Sequence, residues 1–277
     1  MIVVKSGGAA GIDVTNVCAD VALLVRQGQQ VVLVHGGSDA GTTLGRRLGQ
    51  TPRYLTFSDG VQSRYTDPET LNIMTMAMTG HVNPQIVSQL LQNGVSAIGL
   101  SGIDGRLVTA AKSVATRATI DGQRHVIRDN FIGRITGVNR SLIDILINHG
   151  YVPVISPPAY DPKVGPVNVD ADRIAAALAV ALEADNLVLL SNVPGLLRDP
   201  TDPTSLVNAV RVDDLREALD IAKDRMKVKV MAATEAVRGG VGTAILGDAR
   251  RSSPICAALA GEGTVVYGAK VSQEVMK

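Results

Sequence analysis

Two short glycine turns, each closing an apolar run of β type, carry the residues best suited to chemistry in this chain. Ile2-Val3-Val4 runs into Lys5-Ser6-Gly7-Gly8, and Val31-Val32-Leu33-Val34 runs into His35-Gly36-Gly37-Ser38. Glycine lets backbone N–H groups approach an anion closely, and a lysine beside such a turn adds a point charge suited to phosphate. Either turn alone reads equally as an ordinary strand-to-helix connection. The chain has no GxxxxGK[ST] sequence and no GxGxxG opening a helix, so neither a P-loop nor a Rossmann dinucleotide turn accounts for the pair. A phosphate binder of another design is expected.

Composition bounds the partners. A chain of 277 residues with 45% hydrophobic and 19% charged residues can bury a sizeable core in one large or two small domains. A net charge of +1, no tryptophan and 3% aromatic residues give no reason to expect nucleic acid and few platforms for stacking bases. Cys18 and Cys256 lie in apolar stretches with no CxxC partner and read as reduced core residues. With no basic-apolar leader before Ile2 and no apolar run of about 18 residues, the expectation is a cytoplasmic protein, neither secreted nor membrane-spanning. Charge is uneven all the same. From Arg106 to Arg134 six basic residues (Arg106, Lys112, Arg117, Arg124, Arg128, Arg134) face two acidic ones (Asp121, Asp129), six minus two giving a local +4. That stretch is either a solvated hairpin or a docking face for an acidic partner.

The elements that must position these residues alternate as in a parallel sheet covered on both faces. Between the two glycine-tipped strands, Val14, Val17, Val21, Leu24 and Val25 recur at helical spacing, completing a βαβ unit. Thr66-Asp67-Pro68 reads as a helix start with a cap and a first-turn proline, leading into Leu71–Met78 and, after Gly80, a second helix from Pro84 to Asn93. Ala97–Leu100 reads as a buried strand closed by a Ser101-Gly102 turn, and the basic stretch as short β pieces around Asp121-Gly122. A helix over Val138–His149 and a strand over Val152–Ile155 follow. The second half predicts a helix Ala171–Ala184, a strand Leu187–Leu190, a turn Ser191–Gly195, a helix Arg225–Gly239, and strands at Thr243–Leu246 and Gly263–Val266. Pro157, Pro158 and Pro162 interrupt the pattern and suggest two lobes, 1–160 and 161–277, with a cleft at the strand ends. The fold class is α/β: a three-layer sandwich around a mainly parallel sheet, with a β-hairpin excursion.

Lys5-Ser6-Gly7-Gly8, His35-Gly36-Gly37, Ser63-Arg64-Tyr65-Thr66-Asp67, Asn168-Val169-Asp170-Ala171-Asp172, Ser191-Asn192-Val193-Pro194-Gly195 and Met226-Lys227-Val228-Lys229 follow one another across nearly the whole chain. In order and spacing they resemble the amino acid kinase family, specifically its acetylglutamate kinase group. Within that group the Ser63–Asp67 motif, Gly99–Gly105, Arg128–Gly133 and Gly261–Thr264 resemble the branch acting on 2-aminoadipate or glutamate whose amino group is joined to the small acidic carrier protein LysW.

The resemblance implies transfer of the ATP γ-phosphoryl group to a side-chain carboxylate, a nucleophile that needs no general base. It implies that Lys5 and Lys229 contact the transferring group and that Asp172 orients both lysines. Backbone N–H groups at Gly8, Gly36 and Gly37 would cradle phosphoryl oxygens and the substrate carboxylate. Arg64 would grip the α-carboxylate as a fork and Asn168 the acylated-nitrogen region. The nucleotide would lie along Ser191, Asn192, Gly195, Leu196 and Met226, with Mg²⁺ held chiefly by water and ATP oxygens rather than by protein ligands. A homodimer is also implied.

Without the resemblance, Lys229 reads as a helix-surface cation beside Lys227, and Arg64 as a salt-bridge partner of Asp67. His35 reads as a satisfied turn histidine. Ser38 stands where a third glycine is usual and Asp170 where an asparagine is usual, both leaning toward the carrier-linked branch. An acetylglutamate kinase of arginine biosynthesis is the second reading. A non-catalytic nucleotide or amino-acid sensor is the third, and it sits poorly with the presence of Lys5, Asp172 and Lys229 together.

Overall fold

The computed structural model describes residues 1–8, 13–57, 62–120 and 123–268. Strands β1 (Ile2–Ser6) and β2 (Val31–His35) are buried along their whole length. Unbroken apolar runs demand this, because a strand inside a parallel sheet has no wet face. Helix α1 (Val14–Arg26) joins them, opening on Asp13, whose carboxylate accepts from Thr15 N–H at 2.8 Å. Helix α2 (Ser38–Arg47) leaves β2 directly.

Two short strands, β3 (Tyr54–Thr56) and β4 (Gln62–Arg64), lead to α3 (Pro68–Ala77). Asp67 caps α3 by accepting from Thr70 N–H at 2.8 Å, with Pro68 in the first turn, as the sequence predicts. Gly80 does not break the helix. A π-helical turn, Met78–Val82, carries α3 into α4 (Asn83–Gln92), so the two predicted helices form one segment with a widened turn.

Strand β5 (Ala97–Gly102) continues through the residues expected to turn. The basic stretch holds β6 (Val108–Lys112), β7 (Thr116–Ile120), β8 (Gln123–Ile127) and β9 (Gly133–Val138). β7 and β8 are the expected hairpin, whose Asp121-Gly122 turn lies outside the described residues. It joins the β3–β4 pair in a separate four-stranded sheet ordered β4-β3-β7-β8. Helix α5 (Arg140–Asn148) starts later than expected because Val138 belongs to β9.

Strand β10 (Val152–Asp161) departs furthest from the sequence reading, running straight through Pro157 and Pro158. Up to Ser156 it pairs with β5 and β2; from Ala159 it pairs with β11 (Gly165–Val167) and β6. The prolines, which have no N–H to donate, sit where the ladder changes partner. β5 pairs with β10 alone among the described strands, so its first four residues are half-buried or exposed rather than buried.

Helix α6 (Ala171–Ala181), strands β12 (Asn186–Ser191) and β13 (Ala209–Arg211), helices α7 (Leu215–Ile221) and α8 (Arg225–Arg238), strand β14 (Thr243–Asp248), helix α9 (Pro254–Leu259) and strand β15 (Thr264–Tyr267) follow. The main sheet has eleven strands, ordered β13-β15-β14-β12-β1-β2-β10-β6-β9, with β5 and β11 also on β10. One face packs Val3, Val34, Ile174, Leu178 and Val230 beneath α6 and α8. The other packs Val4, Val17, Ile86, Leu90 and Ile255 beneath α1, α4 and α9. The chain leaves β1 toward β2 on one side and returns through β12 on the other. β1 is therefore where the strand order reverses, and the crevice past its C-terminal end is where α/β sheets receive ligands. No helix among the described residues is long and apolar enough to cross a membrane. Cys18 and Cys256 are both free thiols, and Cys18 is buried.

Candidate active site

The crevice is lined by charges taken out of water. Lys5, from β1, faces the α6–α8 side of the sheet, where its Nζ lies 2.9 Å from Asp172 Oδ1. Lys229, from the second turn of α8, places its Nζ 2.8 Å from Asp172 Oδ2. Lys5, Asp172 and Lys229 are only 6%, 5% and 9% exposed, which overturns the reading of Lys229 as a surface cation. Burial alone would raise the Asp172 carboxyl, but Lys229 and Lys5 outweigh it and hold the group well below the usual carboxylate range. Burial pulls the Lys229 ammonium below its ordinary value; Asp172 opposes that pull and Lys5 adds to it. Asp170 sets this up by capping α6, accepting from Asp172 N–H at 2.8 Å and Arg173 N–H at 3.4 Å. Two cations thus share one fixed carboxylate, leaving one positive charge in excess inside the fold.

The glycine turns meet backbone to backbone beside this cluster. A Cβ on Gly8 would lie 2.3 Å from Gly37 N and 2.5 Å from Gly36 C, so no side chain fits there. Ser38 ties the two turns together: its hydroxyl donates to Gly8 O at 3.0 Å, and Asp39 N–H donates to the same oxygen at 3.0 Å. Gly37 opens α2 with no side-chain cap, leaving first-turn N–H groups for an anion. His35 is buried behind the turn, with Nδ1 2.8 Å from Gly36 O and Nε2 3.0 Å from Asn83 Nδ2. Burial presses its pKa down to about 4, which fits a neutral, satisfied histidine.

Arg64 stands at the rim of the cleft. Its Nη2 donates to Ser38 O at 3.2 Å, Thr42 Oγ1 at 2.7 Å and the Tyr54 hydroxyl at 3.3 Å, and its guanidinium lies 5.4 Å from the Tyr54 ring centroid. Asp67 pairs with Arg53 at 2.9 Å instead, so the Arg64–Asp67 salt bridge is overturned. Burial lowers the Arg64 pKa, Tyr54 opposes the shift and Arg225, at the start of α8, adds repulsion. No carboxylate pairs with Arg64 among the described residues. Asn168 lies behind it: its Nδ2 donates to Thr66 Oγ1 at 3.5 Å, while its backbone bonds to Phe131 and Gly133. Buried Asn130 accepts from Thr66 N–H at 2.9 Å. The Arg128–Gly133 segment thereby braces the Arg64 loop against Asn168.

On the other side of β1, Ser191 ends β12, buried, and Asn192 is exposed beyond it. A Cβ on Gly195 would lie 2.6 Å from Thr264 Oγ1, and that hydroxyl accepts from Leu196 N–H at 2.8 Å. Leu196 itself is 1% exposed in the core, so it supports the turn from below rather than offering a surface. Met226 is half-buried at the start of α8, just after Asp224, whose φ of 46° is unusual for a non-glycine residue.

Both Asp172 oxygens are engaged by lysines, and no cluster of three or more His, Cys, Asp or Glu among the described residues could hold a metal. On the hairpin side, Arg106, Arg117, Arg128 and Arg134 are exposed, and Lys112 donates to Arg128 O at 2.8 Å. None of these five is ion-paired among the described residues, and the side chain of Arg124 lies outside them. The sequence does not single out Thr42, Asn83 or Asn130, and it marks Ser38 only as standing where a glycine is usual. Ser38, Asn83 and Asn130 act through hydrogen bonds to distant backbone and Thr42 through the distant Arg64 side chain, which no local pattern announces.

A dry site with surplus positive charge between glycine turns at a sheet's switch point accommodates a polyanion. The model of the amino acid kinase family matches residues 1–248, and the chain belongs to that family. The LysW-aminoadipate kinase of Deinococcus radiodurans is 47% identical over 266 residues, covering 96% of this chain and 91% of the relative. An acetylglutamate kinase of Prochlorococcus marinus is 38% identical over 275 residues, covering 96% and 85%. A crystal structure from Streptococcus mutans shares the fold, with a TM-score of 0.76 at 23% identity over 96% of this chain and 98% of the other.

Proposed function

We propose that this protein transfers the γ-phosphoryl group of ATP to the side-chain carboxylate of 2-aminoadipate, glutamate or both, carried by its amino group on a small acidic LysW-type protein. A carboxylate oxygen forms the new P–O bond, the bond from the γ-phosphorus to the bridging oxygen breaks, and ADP leaves with that electron pair. No proton moves, so the protein's work is to bring two anions together. The observation that carries the reading is the buried pair of lysines on one carboxylate.

Lys5 and Lys229 neutralise the transferring group, Asp172 orients them, and the N–H groups of Gly8 and Gly37 cradle its oxygens, whereas the Gly36 N–H, expected to join them, donates to Ser6 O at 3.3 Å. Arg64 takes the α-carboxylate and Asn168 the amide formed with the carrier. The lobe 161–277 receives the nucleotide along Ser191, Asn192, Gly195 and Met226, above Leu196, and the lobe 1–160 receives the acceptor. Mg²⁺ bound to the ATP phosphates would screen their charge, and Asp172, with both oxygens engaged by lysines, would not be among its ligands. Arg117, Arg128 and Arg134, exposed and without an ion-pair partner among the described residues, give an acidic carrier its docking rim. The protein works in the cytoplasm as a homodimer, in lysine or arginine biosynthesis.

Trapping the acyl phosphate as a hydroxamate tests this, with carrier-linked aminoadipate and glutamate compared against free N-acetylglutamate. Turnover of the carrier-linked substrates alone is expected. Robust turnover of N-acetylglutamate instead would make the chain an acetylglutamate kinase, and no turnover of any would make it a sensor.

A further inference from the structure

Asn83 has no role in the proposed transfer so far, yet it is 5% exposed and uses one amide nitrogen twice. Its Nδ2 lies 2.9 Å from Val154 O and 3.0 Å from His35 Nε2. A carbonyl oxygen only accepts, so Val154 fixes which end of the amide is nitrogen. That nitrogen then donates to Nε2, which places the ring hydrogen on Nδ1, where Gly36 O waits at 2.8 Å. Both contacts require the same tautomer. The amide oxygen fits only because residue 99 is glycine: a Cβ there would lie 1.9 Å from Asn83 Oδ1.

The peptide joining Gly36 to Gly37 is planar and trans, so its C=O and N–H point in opposite directions. His35 shares the α1–α4 face of the sheet with Leu33, whereas Lys5 shares the opposite face with Val3. Holding Gly36 O toward His35 therefore turns the Gly37 N–H toward the lysine side, where no acceptor takes it among the described residues. The π-helical turn delivers both braces, setting Asn83 against His35 and Met78 against Gly37, whose Cβ would lie 2.6 Å from Met78 Cγ.

The geometry points to Asn83 and His35 as positioning residues for phosphoryl transfer: together they lock the Gly36–Gly37 peptide so that its N–H faces the transferring group. The inference rests on the proposed reaction. Burial, with Lys5 nearby, keeps the ring neutral, and a neutral ring is the only form that accepts from Asn83. His81 lines the same cleft, the one other titratable base there, alongside Asp39.

Two substitutions of one residue separate this role from packing. In His35→Asn the amide nitrogen replaces Nδ1 and keeps the bond to Gly36 O; in His35→Gln the amide oxygen replaces Nε2, still accepting from Asn83, and the bond to Gly36 O is lost. We expect His35→Asn to keep kcat within about threefold and His35→Gln to lose roughly tenfold or more, with KM for the carrier-linked acceptor little changed in either. Equal kcat in the two variants overturns the proposal. Nitrogen chemical shifts of His35 in the wild-type protein decide it independently of folding in the variants. An Nδ1–H neutral ring between about pH 5.5 and 8 is expected, and an Nε2–H ring or a proton taken up near pH 6.5 overturns it. That readout does not depend on turnover, so a wild-type protein inactive on every acceptor defeats the functional reading while the shifts still judge this one.

Discussion

Lys5 and Lys229 sit 6% and 9% exposed around a single carboxylate, whereas Arg117, Arg128 and Arg134 stand in water with no carboxylate partner among the described residues. Both regions carry surplus positive charge, and the surroundings decide what each surplus can do. Inside the fold, salt screens little and desolvation makes every unpaired charge expensive, so the lysines are held in place and gain from an incoming anion. On the hairpin, interactions fade over a Debye length of about 8–10 Å, so the arginines steer a partner without gripping it. The buried cluster should therefore answer to charge balance, and the exposed rim to ionic strength.

Charge balance is tested most severely at Asp172. Asp172→Asn keeps the shape and leaves two ammonium groups without their counter-ion, which should cost about 3–5 kcal/mol of unfolding free energy and roughly a thousandfold in kcat. Lys229→Met leaves Lys5 and Asp172 as a neutral pair. Its kcat should fall as far, but its stability in urea unfolding should change by less than about 1 kcal/mol. Equal destabilisation by the two variants would mean that packing, rather than charge, holds the cluster.

His35 gives the buried region an acid limit. Its pKa falls from 6.5 unfolded to about 4 folded, so the folded protein binds fewer protons between those values. The stability is fully present above 6.5 and is lost as pH falls through the window, about 3 kcal/mol in all. Asp172 contributes its own loss only below 3.8. Urea unfolding at about pH 7 and pH 4.5 should show this loss in the wild type and a flatter response in His35→Asn. A wild-type protein equally stable at both pH values contradicts the buried, neutral ring.

Arg64 lies between the two regimes, half-buried and with no carboxylate partner among the described residues. Arg64→Met removes charge-assisted bonds to the acceptor carboxylate, worth about 1.5–3 kcal/mol, so KM for the acceptor should rise roughly 10- to 100-fold while KM for ATP holds. A rise in the ATP KM instead would move Arg64 to the nucleotide side.

What the sequence made legible follows the same divide between local and distant causes. The glycine turns, the Asp67-Pro68 helix start and the buried β1 and β2 depend on neighbours in the chain, and they are where the residues predict. Strand β10 does not break at its prolines because it changes partners there, and of those partners β2, β5 and β6 lie far away in sequence. The π-helical turn hides for the same reason: Gly80 looks like a break until Met78 and Asn83 have Gly37 and His35 to meet. Lys229 shows the limit most clearly. Beside Lys227 its composition says surface, and only the motif resemblance or the fold brings it to Asp172.

The exposed side of the comparison carries the smallest effects and the clearest signature. Replacing Arg117, Arg128 and Arg134 together by Glu should raise KM for a carrier-linked acceptor roughly tenfold at low salt, with kcat little changed, because these side chains guide encounter and touch no reacting atom. Raising ionic strength should raise the wild-type KM toward that of the variant, while the variant's own KM stays level or falls. Free N-acetylglutamate, with no acidic carrier to steer, should show neither effect. A wild-type KM that ignores salt would return the hairpin to ordinary solvated surface, leaving the buried lysines as the one region where positive charge has work to do.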